Sequence, residues 1–215
     1  MSRGKWTLLI AAALSLLAAR PQPALAGYPA YFERECSGDP DSGVSYERAV
    51  NACTRILNSG DVARRDVPYY LYQRGAAYGE LGQYEKAIAD FDTALLITPG
   101  DANLYNARCW ANARSGRSLF TALTDCDTSL QLRPGNPYAL DSRAFVYFRR
   151  GEYAQARADL DAALAQKPKL ASSLYMRGLA RLKTGDKPGG DADIAAAKAI
   201  DAKIADTYSG YGVAP

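Results

Sequence analysis

The sequence contains no histidine, and so lacks the commonest general acid–base group near neutral pH and the commonest metal ligand. None of its four cysteines forms a Cys-x-x-Cys pair, leaving the usual redox and zinc spacings unfilled. The glycine-rich stretch 186–190 has no Gly-Lys-Ser/Thr ending and does not read as a phosphate cradle. Asp39-Pro40-Asp41-Ser42-Gly43 is acidic, but it sets its glycine one place early for a calcium loop and lacks the closing glutamate. It reads as a turn. No nucleophile is paired with a positioned base. The residues therefore suggest a protein that is not an enzyme and needs no cofactor or metal.

Excess charge of one sign is scarce too. The chain has 26 basic and 23 acidic residues. Its start, 1–26, reads as a signal peptide. Arg3 and Lys5 precede an uncharged, mostly apolar run from Trp6 to Ala19, and Ala24-Leu25-Ala26 offers a small-x-small cleavage site before Gly27. Arg20 cuts the run short of the length that spans a bilayer. The leader carries Arg3, Lys5 and Arg20 and no acid, which leaves 23 charges of each sign. Nothing global then points to nucleic acid. No later run is long and apolar enough to cross a membrane, so the mature chain is expected to be exported, periplasmic or secreted, and not membrane-spanning.

What the sequence does have is a clock. Gly82, Gly116, Gly151 and Gly185 recur at intervals of 34, 35 and 34. Arg74, Arg108, Arg143 and Arg177 keep the same intervals, and Asp90, Asp125, Asp159 and Asp193 follow at 35, 34 and 34. Pro99, Pro134 and Pro168 add a fourth series. A period of about 34 is that of a helix–turn–helix unit. The clearest copies run from Tyr69 to Asp101, with Leu71, Gly75, Tyr78, Ala87, Phe91, Ala94 and Pro99, and from Pro137 to Pro168, with Leu140, Ala144, Tyr147, Ala156, Leu160, Ala163 and Pro168. On these residues the chain resembles the tetratricopeptide repeat family, in particular its small exported bacterial members.

The resemblance implies an all-α, right-handed superhelical solenoid of about five units. After the leader comes a degenerate N-terminal repeat within 27–66, then four repeats over 67–200 (68–101, 102–136, 137–170 and 171–200), then a C-terminal cap and tail over 201–215. In the last unit Pro188, Gly189 and Gly190 stand where a second helix should open, so that helix is expected to begin near Asp191. Residues 202–208 are expected to form a short capping helix and 210–215 a flexible tail. The recurring arginine and aspartate read as a structural link between the two helices of each unit. A groove shaped for one ligand would not repeat them.

Repeat register also selects the disulfides. Cys36 and Cys53 are 17 apart, as are Cys109 and Cys126. Pairing across units would have to reach past a whole repeat, while helices already stand about 8–10 Å apart and a disulfide needs Cα atoms within about 7 Å. The expected bridges are Cys36–Cys53 and Cys109–Cys126. Both cysteine units carry one extra residue between their helices, because the matching spacing elsewhere is 16, as from Gly75 to Phe91.

In the family, the concave groove is lined by the second, fifth, ninth, twelfth and thirteenth positions of each unit. Here those include Tyr69, Tyr72 and Glu80, then Asn106, Trp110 and Arg114, then Tyr138, Asp141, Phe145, Phe148 and Arg149, and finally Ser172, Tyr175, Leu179, Leu182 and Lys183. The candidate ligand-binding set is Tyr69, Tyr72, Asn106, Trp110, Arg114, Tyr138, Phe145, Phe148, Arg149, Tyr175 and Lys183. Aromatics and arginine suit an interface. The expected partner is a protein or peptide segment in the envelope, with apolar anchors and some negative charge. Tyrosine and tryptophan faces equally suit an envelope glycan. A third reading has the aromatic tail bearing Tyr208 and Tyr211 fill the groove itself, as in a chaperone-like assembly factor.

Overall fold

A computed structural model describes residues 30–37 and 43–214. Residues 1–29, which include the expected leader, residues 38–42 of the acidic loop and the final proline lie outside them. The described residues form eleven helices and no strand. They pair as α1 (Ala30–Cys36) with α2 (Tyr46–Asn58), α3 (Val67–Glu80) with α4 (Tyr84–Ile97), and α5 (Ala102–Ser115) with α6 (Leu119–Leu132). Next come α7 (Pro137–Arg149) with α8 (Tyr153–Gln166), α9 (Ala171–Lys183) with α10 (Lys187–Ile200), and a lone α11 (Ile204–Gly210). Each helix packs on the next in sequence, and α3, α5, α7 and α9 also pack side by side. This is the all-α solenoid the repeats imply.

Local chemistry sets the boundaries. The side chains of Asp101, Ser118, Asn136 and Asp186 accept from backbone N–H groups one turn into α5, α6, α7 and α10. Gly82, Gly116, Gly151 and Gly185 leave the first helix of each unit at φ between 69° and 88°, a conformation open to glycine at no steric cost. The prolines act one residue earlier. Thr98, Arg133 and Lys167 precede Pro99, Pro134 and Pro168 and take ψ of 73°, 85° and 82°, because the residue before a proline is pushed out of the helical region.

Inside each unit the helices meet where a small side chain faces a large one. A Cβ on Gly75 would lie 2.7 Å from the Phe91 ring. In the first and third units disulfides replace that contact, Cys36–Cys53 with Cα atoms 4.8 Å apart and Cys109–Cys126 with 5.4 Å. All four cysteines are buried. The extra residue of the third unit shows when the turn is counted from its glycine, since Gly116, Arg117 and Ser118 stand before α6 where Gly82 and Gln83 stand before α4.

The recurrent arginine and aspartate form a ladder. In four units Nε and Nη2 of the arginine donate to both carboxylate oxygens of the aspartate, Arg74 to Asp90, Arg108 to Asp125, Arg143 to Asp159 and Arg177 to Asp193, at 2.6–2.9 Å. The remaining Nη1 reaches the preceding unit, finding Thr54, Asp92, Asp127 and Asp161 in turn. These bonds push the already high pKa of each arginine further up, so the guanidiniums stay charged. Glu35 fills the arginine's place in the first unit and pairs with Arg48.

Two sequence expectations change. The second helix of the last unit begins at Lys187, not near Asp191, with Pro188 in its first turn where no N–H is needed. Gly189 and Gly190 lie inside it because α9 and α10 approach closely there. A Cβ on Gly190 would stand 2.8 Å from Leu182 and 2.9 Å from the Gly178 carbonyl oxygen. The expected flexible tail is also absent over its described part, since Val213 is buried and Tyr211 is packed against aromatic rings.

Two measurements test this account. Asp159→Ala removes two of the three carboxylate bonds of the half-buried Arg143 and leaves it only Asp127, and should cost roughly 2–4 kcal/mol in urea unfolding, while Arg143→Met with Asp159→Leu costs clearly less. A double variant as unstable as the single would remove the ion pair's assigned role. Gly190→Ala should cost about 1–3 kcal/mol through the backbone clash. Gly79→Ala, with no atom within 4 Å of its added carbon, should change stability by less than about 1 kcal/mol, in the favourable direction.

Candidate functional site

The first helices of the units line a concave face. Small side chains at Ala76, Gly79 and Ala107 leave it hollow over the second and third units, and a cavity of about 440 Å³ opens there. Its walls include Tyr46, Tyr72, Trp110 and Tyr138, with Glu80, Asn106, Arg114 and Asp141 among them. At its C-terminal end the wall is formed by Ile204, Thr207, Tyr208 and Tyr211. The chain's own last segment thus occupies part of the concave face.

That segment lies across three units. Tyr211 packs edge-on to Trp110 with centroids 5.7 Å apart, and Tyr208 lies 6.1 Å from Phe145 and 5.2 Å from Tyr175. The Arg114 guanidinium stacks 4.1 Å from the Tyr211 ring, and Arg149 Nη1 donates to the Tyr211 carbonyl oxygen at 3.3 Å.

The sequence-derived set divides accordingly. Tyr72, Asn106, Trp110, Arg114 and Tyr138 line the open cavity. Asn106 Oδ1 is buried there without a hydrogen-bond partner among the described residues. Tyr69 is exposed on a neighbouring depression, beside Arg65 and Asp101, that shares Tyr72 and Gln73 with the cavity. Phe145 and Tyr175 belong to the groove face but are 0% and 1% exposed, covered by Tyr208. Phe148 is buried outside the cavity wall and packs 5.1 Å from Tyr153 within its own hairpin. Lys183 is exposed at the end of α9, outside the cavity wall.

The cations are less available than their sequence positions suggest. Arg114 is held by Glu80 at 2.6 Å and its side chain is only 5% exposed. Arg149 is engaged by the C-terminal segment. Acid is present as well. Asp141 stands at the cavity wall, hydrogen-bonded to Ser173, with Ser172 and Tyr208 close by. Burial pushes its carboxyl up to about 6, against a smaller downward pull from the two serine hydroxyls. Tyr208 is likewise raised well above its ordinary value by burial. Among the described residues no group of histidine, cysteine, aspartate or glutamate side chains could hold a metal ion, and no helix is long and apolar enough to cross a membrane.

Sequence reasoning missed Tyr46, at the start of α2, because the degenerate first unit offered no register for it. It expects 210–215 as a flexible tail and has Tyr208 and Tyr211 fill the groove only as a third reading. The signal was present, since Ile204, Tyr208 and Tyr211 are spaced four and three apart, which places them on one face of a helix.

Comparison with known proteins agrees with this architecture. Residues 110–206 match one family model described as tetratricopeptide repeat and residues 68–101 match another. The chain belongs to the tetratricopeptide repeat family. No curated protein matches its sequence. Among solved structures it is similar to TTC0263, a thermophilic repeat protein of Thermus thermophilus, with a TM-score of 0.68 and 21% identity over 85% of this chain and 96% of that one. MamA from Desulfovibrio magneticus RS-1 gives 0.61 and 16% identity over 81% and 95%. The first repeat domain of Spaghetti (RPAP3), solved with the HSP90 peptide SRMEEVD, gives 0.52 and 20% over 57% and 96%. At these identities the likeness is one of fold.

Asp141 gives a test of the site's electrostatics. Its folded-state pKa of about 6 lies above the ordinary value of about 3.9, so the fold binds its proton more tightly than the unfolded chain does. Stability contributed by the protonated form is present below about pH 4 and is lost as pH rises to about 6. Asp141→Asn should therefore be more stable than wild type by on the order of 1–3 kcal/mol at pH 7.5. The difference should vanish below about pH 4. Thermal unfolding across that range checks it, and a difference independent of pH would contradict the assignment.

Proposed function

We propose that this chain is an exported interaction module whose groove holds an extended or helical segment of a protein partner in the envelope. The observation that carries the proposal is the open cavity itself. Aromatic walls at Tyr46, Tyr72, Trp110 and Tyr138 surround the buried, unpartnered Oδ1 of Asn106. A buried acceptor left without a donor costs about 1–3 kcal/mol, and the backbone N–H of an occupying peptide supplies that donor. A cavity of about 440 Å³ suits a few side chains and their backbone. Contact over a larger surface would continue along the rim, where Tyr46 and Tyr138 are half-exposed.

Export rests on separate support. The leader ends in a small-x-small site, and two buried disulfides suit an oxidising compartment.

A peptide library panned on the full chain tests the reading, followed by fluorescence anisotropy of the enriched peptides. Peptides should bind wild type and weaken about tenfold or more on Asn106→Ala with Tyr46→Ala. Both positions lie at the cavity and outside the ladder and the disulfides, so helicity should be unchanged. Should no peptide be enriched while envelope polysaccharide binds, the occupant is a glycan and the proposal fails.

A further inference from the structure

The C-terminal segment tells more about the groove than its open part does. It is joined to α10 through Asp201, Ala202 and Lys203, and its helix is seven residues long. A helix so short has no stability of its own in water, so its order comes from the side chains it sets into the concave face. Ile204, Tyr208 and Val213 are buried to 5%, 2% and 3% exposure. Tyr208 and Tyr211, one turn apart, meet Tyr175, Phe145 and Trp110 in sequence along the face. Past the helix the chain curls back, Val213 N–H donating to the Tyr208 carbonyl at 3.0 Å. That curl brings the Tyr211 carbonyl to Arg149 and the Tyr211 ring onto Arg114.

Three features mark this as occupancy of a binding face and not merely the closing of a solenoid end. The rings point into the groove across three units, and do not simply cover the last helix. The outward face of α10 is left bare, with Asp191, Ala192, Ala195 and Lys198 on it and little apolar surface in need of a cover. And the contacts engage Trp110, Arg114 and Arg149, which lie at the family's ligand-facing positions.

We infer that residues 204–213 are an intramolecular stand-in for the partner, and that the partner segment which replaces them is a helical turn bearing two aromatic side chains three residues apart, closed by a backbone or carboxylate oxygen that accepts from Arg149. This rests on the peptide-binding reading of the groove and extends it. The open cavity receives the first part of the partner, and displacement of Tyr208 and Tyr211 uncovers Phe145, Tyr175, Arg114 and Arg149 for the rest. Opening also returns Asp141 to water. The groups that face it or lie close, Ser172 and Ser173 of α9, Tyr208 of α11, and Arg114 of α5 acting on Tyr208, all sit at the seam where the segment lifts.

The test uses the full chain and a labelled peptide of residues 202–215 added in trans. Tyr211 is only partly buried, so Tyr211→Ala loosens the tethered copy while Tyr208 still anchors the fold. The peptide should bind this variant at least about tenfold more tightly than wild type. A peptide with both tyrosines replaced by alanine should bind neither. Equal binding to wild type and variant, or none to either, overturns the inference. Hydrogen exchange on wild type gives an independent reading that no folding defect obscures. The amides of Gly212 and Val213, bonded to Ser209 and Tyr208 carbonyls, should exchange faster than those of α9 by about tenfold or more. Exchange at the rate of global unfolding would mean a fixed cap, with no displaceable occupant. Either failure leaves the library result on the open cavity standing, because the rings and cations that hold the segment include neither Asn106 nor Tyr46.

Discussion

One guanidinium in the middle of each of the last four units holds the architecture in register. Its Nε and Nη2 form a planar fork on an aspartate of the facing helix, and its Nη1 points back to the previous unit. The fork is directional, so it fixes how far the two helices of a hairpin slide past one another. The third nitrogen fixes the offset between hairpins. The aspartate in each fork is nearly buried, at 4–10% side-chain exposure, where a mismatched charge is costly. The pairs therefore penalise wrong registers more than they stabilise the right one. Where the ladder is altered a disulfide is found. The first unit has Glu35 in place of the arginine, Ala52 in place of the fork aspartate and Thr54 in place of the acceptor for the next unit, and carries Cys36–Cys53. The third spaces Arg108 and Asp125 by 17, not 16, and carries Cys109–Cys126 beside that pair. Each bridge closes a loop worth about 3 kcal/mol, chiefly by restricting the unfolded chain.

With register fixed, side-chain size decides the shape of the concave face. The second and third units turn Ala76, Gly79, Asn106 and Ala107 towards it and leave it hollow. The fourth and fifth turn Phe145, Tyr175 and Leu179 towards it, all of them now buried. An aromatic surface of that kind would not stay open to water, since burying each large ring gains roughly 1.5–3 kcal/mol. The same face is thus a cavity at one end and a covered core at the other, a difference traceable to a handful of residues.

The fold was legible because its determinants repeat. Four copies of an arginine, an aspartate and a glycine at one spacing specify the hairpin, and the disulfides follow from the same register. The site was legible only in part. Tyr72, Asn106, Trp110, Arg114 and Tyr138 stand at the cavity because their backbone positions repeat those of the family. Phe148 does not, since rotation about its own helix turns it to Tyr153. Lys183 ends its helix in solvent. A repeat predicts which backbone positions face the groove. It does not predict which of their side chains a non-repeating segment will cover, and Tyr208 and Tyr211 occur once. The glycines of α10 show the same limit. They read as a break, yet the helix runs through them because Gly178 and Gly190 bring two backbones into contact.

As the inferred stand-in for a partner, the C-terminal segment would set a threshold on recognition. Tethered by three residues to α10, it is present at its site at an effective concentration on the order of millimolar. A partner must exceed that competition before it gains the covered half of the groove, and only an occupant that matches the Tyr208 and Tyr211 pockets recovers the apolar burial lost when they leave. A generic peptide reaching just the open cavity receives the donor-starved Asn106 and the aromatic rim and nothing more. The two halves therefore act in series. On the inferred mechanism the open half would admit many segments weakly, and the covered half would reward the few whose aromatic spacing repeats that of the chain's own end.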